Sequence, residues 1–129
     1  MTPVGITIHC SDSPQGRGDD INAIRRWHKE RGFKDVGYHY VILENGTIQQ
    51  GRLENELGAH AKGHNNTLGI CLIGIDSFTD EQFNALTGLC LELKTKYSFT
   101  NDVIKGHCEL DKGKTCPNFD VNKFKKENL

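Results

Sequence analysis

A chain of 129 residues, 36% of them hydrophobic, is long enough to bury one core without staples, and no repeat, linker or low-complexity tract divides it. Sixteen Lys and Arg against seventeen Asp and Glu leave a net charge of -1, which removes the electrostatic case for nucleic acid or an anionic membrane surface as partner. No stretch approaches the ~20 apolar residues of a membrane span, so membrane insertion is not expected.

In chain order, Gly5-Ile6-Thr7-Ile8-His9 alternates as a strand, with Ile6 and Ile8 on one face and Thr7 and His9 on the other. Cys10 to Gly16 is loop by composition. Asp19 or Asp20 can cap a helix whose buried stripe is Ile21, Ile24 and Trp27, with Gly32 as a left-handed stop. His28, within the charged run His28-Lys29-Glu30-Arg31, is expected in solvent. Tyr38 to Leu43 is rich in strand formers, Asn45-Gly46 is a hairpin signal, and Ile48 to Arg52 is the returning strand. Asn55 to Thr67 reads as loop.

Gly69 to Ile75 is apolar on both faces, as a central strand covered on both sides would be. Thr79 and Gln82 form a capping box, and Phe83, Leu86, Cys90, Leu93 and Tyr97 share one side of the helix that follows. Val103 to Gly106 is a short strand that runs into His107, and Phe119-Asp120 opens a terminal helix containing Val121 and Phe124. The order β-α-β-β-β-α-β-α predicts an α/β fold: one domain over residues 1–129, a mixed central β-sheet flanked by about three helices.

Chemistry concentrates in the loop after the last strand. His107 and Cys116 offer an imidazole and a thiolate, both good zinc ligands, and a catalytic zinc takes three protein ligands with one position open. His9, at the end of the first strand, is the candidate for the third. The spacing is not a compact metal motif, and by itself it leaves the metal open. Cys71 and Cys90 fall at apolar positions and read as core. Cys10 and Cys108 each follow a proposed ligand and are expected to point away from it. Lys114, two before Cys116, would share its side if the segment were extended, placing an ammonium where an oxyanion could form. Tyr38, at the start of its strand, can aim a hydroxyl at the same place; His39 reads as packed.

Five cysteines and no secretory signal in Met1 to Gly5 point to folding in a reducing compartment, without disulfides.

Four motifs in order carry a resemblance. They are Asp35-Val36-Gly37-Tyr38-His39-Tyr40, Gly58-Ala59-His60-Ala61-Lys62-Gly63-His64-Asn65, Leu68-Gly69-Ile70-Cys71-Leu72-Ile73-Gly74 and Lys114-Thr115-Cys116-Pro117-Asn118-Phe119-Asp120. From about Ile6 to Phe124 the chain resembles the short phage endolysins of the zinc N-acetylmuramoyl-L-alanine amidase family, whose fold is shared with the peptidoglycan recognition proteins. The resemblance implies Zn2+ held by His9, His107 and Cys116, catalytic assistance from Tyr38 and Lys114, and His60 lining the substrate groove. The implied substrate is peptidoglycan, cut at the amide between the lactyl group of N-acetylmuramic acid and L-alanine by a zinc-activated water. The implied setting is the host bacterial cytoplasm, with a separate factor releasing the protein to the periplasmic wall. A relative in this family also inhibits RNA polymerase, partly through an N-terminal arm; with only Met1 to Gly5 before the first strand, that partner is not expected here. A monomer is expected. Two rival readings are a module that binds wall fragments without cutting them, and a metal-free Cys116–His107 nucleophile pair.

Overall fold

The computed structural model describes residues 1–129. Its five-stranded sheet has the order β3-β2-β4-β1-β5, with β1 at Ile6–Cys10, β2 at Tyr40–Ile42, β3 at Ile48–Gln50, β4 at Leu68–Leu72 and β5 at Ile104–Gly106. Only the β2–β3 hairpin is antiparallel; the β2–β4, β4–β1 and β1–β5 pairs are parallel. As its apolar sequence requires, β4 lies in the middle and is buried along its whole length.

Alternation sorts the strand residues into two cores. Ile6 and Ile8 of β1 and Leu68, Ile70 and Leu72 of β4 face Leu86, Cys90 and Leu93 of α2 (Asp80–Tyr97) and Val121 and Phe124 of the C-terminal helix. On the opposite face Val41, Cys71 and Ile73 meet Ile21 and Ile24 of α1 (Ile21–Glu30). Thr7 and His9 belong to this second face by the same alternation, so the sheet itself carries His9 to the α1 side.

The helix boundaries have identifiable causes. Asp20 caps α1 by accepting from the amides of Asn22 and Ala23, and Gly32 follows the helix at φ 92. The Thr79–Gln82 capping box closes at both hydrogen bonds. His28 departs from expectation: it is 5% exposed, because it lies four residues after Ile24 on the buried stripe. Lys29 and Glu30 carry the charge to solvent, and Trp27 is half-buried.

Two strands start later than predicted. Tyr38 and His39 precede β2, although the His39 amide still donates to the Gly69 carbonyl and the Arg52 amide to that of Tyr38. A 3-10 turn at Asn101–Val103 delays β5. His107 does not open into loop; it begins a one-turn helix, α3 (His107–Leu110), so α4 (Val121–Asn128) is a fourth helix. Gly106 cannot cap α3 with a side chain, but the Glu109 carboxylate accepts from the Gly106 amide and fixes the turn that presents His107. No helix is long and apolar enough to cross a membrane.

Candidate metal centre

At the C-terminal ends of the parallel strands lies a cavity of about 810 Å³, the position at which open α/β sheets form their sites. Three elements bring one donor each to it. β1 supplies His9, α3 supplies His107, and the Thr115–Asn118 turn supplies Cys116. One donor atom from each lies within 4.8 Å of the others, close enough to share an ion. The His9 and His107 rings are 4.5 Å apart, centroid to centroid.

Cys116 is held from behind. The Cys10 amide donates to its Sγ at 2.9 Å, and the Cys108 amide donates to its carbonyl at 2.8 Å. Neither Cys10 nor Cys108 belongs to the group of donors around the centre, but the Cys10 thiol is not turned away from it as the sequence suggested: it lies beside that of Cys116, and Cys10 lines the cavity. The Asn118 side chain spans the turn, donating to the Ile75 carbonyl at 2.8 Å.

The donor set fits a zinc-type ion. Burial, reinforced by His60, His107 and His28, lowers the His9 pKa far below its ordinary value, and burial is also the largest cause lowering His107, with Asp111 opposing and Lys114 reinforcing. Both imidazoles are therefore neutral at pH 7, as metal ligands must be. The Cys10 thiol beside it, together with burial, raises the Cys116 thiol; an arriving cation would displace that proton. Two imidazoles and a sulfur at this spacing leave room for the open position of a catalytic site.

The remaining site residues named from the sequence surround this trio. The Tyr38 ring lies 5.0 Å from that of His9. Burial first, then the Cys71 and Cys116 thiols, raise its phenol well above the ordinary value, so it keeps its proton. Lys114 is exposed on the cavity rim. It gets there through turns, with its amide on the Asp111 carbonyl at 3.0 Å, and not through the extended segment the sequence suggested. His60 lines the cavity too, but its Nδ1 is 2.9 Å from His9 Nε2. Burial, against the Thr67 carbonyl, pushes its pKa down to about 4.

His28 was missed. It also lines the cavity, with its Nδ1 accepting from the Gly37 amide at 2.9 Å and its ring 5.4 Å from that of Tyr38. The available signal was its place on the α1 stripe. His39 is packed as expected, with Nε2 donating to the Glu56 carbonyl and Nδ1 accepting from the Gly69 amide.

The profile of the N-acetylmuramoyl-L-alanine amidase family matches residues 1–119. The chain belongs to that family. The endolysin of Escherichia phage T7 is 39% identical over 132 residues, covering 95% of this chain and 85% of the endolysin. The N-acetylmuramoyl-L-alanine amidase LysC from Clostridium intestinale superposes with a TM-score of 0.87 at 32% identity, over 98% of this chain and 85% of LysC. Drosophila PGRP-LB superposes at 0.79 and 27% identity, over 91% and 76% of the two chains. This amidase therefore has the predicted fold and enzyme class, and the rival reading as a module that binds without cutting loses its footing.

Proposed function

We propose that residues 1–129 act as one amidase domain in which His9, His107 and Cys116 hold a single zinc ion, with peptidoglycan bound across the cavity. The observation that carries this reading is the convergence of the three donor atoms within 4.8 Å, on a chain of the amidase family. The activity is that of a phage endolysin: hydrolysis of the amide between the lactyl group of N-acetylmuramic acid and L-alanine in the bacterial wall. Release from the cytoplasm by a separate factor remains part of the proposal.

When bound, zinc supplies Lewis acidity and an acidified water, with a pKa of about 7 in such sites. The protein's own groups then act on the substrate oxygen and the leaving amine. Tyr38, kept protonated by burial, donates to the carbonyl oxygen as it becomes negative. Lys114, on a flexible stem at the rim, brings a positive charge to the same oxygen. The proton that the departing L-alanine amine needs is the one the attacking water gives up, and Tyr38 and Lys114 are the groups placed to relay it. His9 and His107 remain neutral donors throughout.

Metal analysis and release of L-alanine amino termini from purified sacculi test the proposal together, on the wild type and Cys116→Ala. Zinc and activity should be lost together in Cys116→Ala and restored to chelator-treated wild type by added zinc. Full activity of zinc-free wild type would instead favour a Cys116–His107 nucleophile pair.

A further inference from the structure

His60 has a place in the site that the substrate groove does not explain. Its ring is caught between two glycines, Gly58 in the segment before β4 and Gly69 within β4. A side chain on Gly58 would overlap it, and a Cβ on Gly69 of β4 would come within 2.7 Å of its Cδ2 and Cγ, so the imidazole occupies space that two glycines leave free. Its own amide donates to Asn65 Oδ1 at 2.8 Å, closing the loop around it. The His39 ring meets it edge-on at 5.8 Å.

The hydrogen bonds of this ring can be assigned from their partners. Nε2 is 2.9 Å from the Thr67 carbonyl, which can only accept, so Nε2 carries the hydrogen. A neutral imidazole has one N–H, so its Nδ1 is an acceptor. Nδ1 faces His9 Nε2 at 2.9 Å. His9 must then donate from Nε2, and its Nδ1 keeps the one free lone pair on that ring.

We propose that His60 is a positioning residue that acts through His9: the Thr67 carbonyl sets the tautomer of His60, and His60 sets that of His9, presenting Nδ1 to the metal. The inference rests on the metal reading of His9, His107 and Cys116, and it replaces a direct role of His60 in holding substrate. Partners of this kind orient a ligand ring and raise its basicity, and losing one costs about 10- to 100-fold in metal affinity.

The test is a zinc-affinity measurement by chelator competition on wild type, His60→Ala and His60→Asn, with folding checked by urea denaturation. Asn places its amide oxygen near the position of Nδ1 and can accept from His9. His60→Ala should bind zinc about 10- to 100-fold more weakly, and His60→Asn should regain most of the loss. Long-range 1H–15N spectra of wild type need no variant: they should show the hydrogen of His9 on Nε2 and that of His60 on Nε2. Wild-type affinity in His60→Ala, or a hydrogen on His9 Nδ1, overturns the inference while leaving the zinc site intact. Wild type that binds no zinc overturns the metal reading itself.

Discussion

The Gly37 amide donates to Nδ1 of His28 across 2.9 Å, tying helix α1 to the segment that carries Tyr38. From the other side the Ala59 amide donates to the Gly37 carbonyl at 3.0 Å, so this peptide is pinned at both ends before Tyr38 turns toward His9. His28→Leu removes the acceptor and strands a buried N–H, at a cost of about 1–3 kcal/mol. Urea denaturation should show that loss, and His28→Asn, with an oxygen near the Nδ1 position, should recover part of it. Equal stability of all three proteins would mean that the bond contributes nothing net.

Tyr38 and Lys114 approach the centre without belonging to its donor set. Tyr38→Phe and Lys114→Ala should therefore retain zinc while each lowers turnover on sacculi by about 100- to 1000-fold, the usual effect of losing one oxyanion donor. Zinc content and turnover measured on the same preparations check this. Normal rates with full zinc would take the residue out of the chemistry.

Gly69 sits in β4 opposite Thr7, two pairs before His9–Cys71 and so on the same face. A methyl there would meet the His60 ring at 2.7 Å and must displace it, because the Gly69 backbone is held by pairing with Thr7 on one side and by hydrogen bonds to His39 on the other. Gly69→Ala is expected to weaken zinc binding in the same direction as His60→Ala, with a stability loss of about 1–3 kcal/mol from overpacking. Chelator competition and denaturation measure the two effects separately.

Away from the site, Glu54 gathers three donors: the Tyr40 hydroxyl, the Tyr97 hydroxyl at 2.5 Å and the Lys96 ammonium at 2.7 Å. Burial opposes its ionisation, but Lys96, Tyr40 and Tyr97 together outweigh it and hold its pKa below the ordinary value. A carboxylate depressed in this way stabilises the fold above its unfolded pKa and loses that contribution as pH falls through the folded one. Wild type should be more stable than Glu54→Gln at pH 7, and the gap should close below about pH 4, the ordinary carboxylate range. Denaturation midpoints at pH 7 and pH 3 check it; a gap independent of pH would mean the charge plays no part.

Much of the site was legible before the structure. Strand alternation put His9 on the face opposite Ile6 and Ile8, the apolar run at Gly69 to Ile75 marked a central strand, and four ordered motifs carried the family. The four-residue step from Ile24 to His28 also marks the buried stripe of α1, a stronger signal than the charge of the residues beside it. Local rules reach this far because side-chain period and capping act over a few residues of chain.

What the chain order could not contain is which atoms meet. The Cys10 amide and Cys116 Sγ are brought to 2.9 Å only by the β1–β5 pairing and the turn at Cys116. His60 reaches His9 only because β4 pairs with β1 and offers a glycine beneath the ring. Residue types and periodicity state what each position can donate or bury; the choice of a ring's free nitrogen depends on a carbonyl from a distant strand end, and only packing of the whole sheet supplies it.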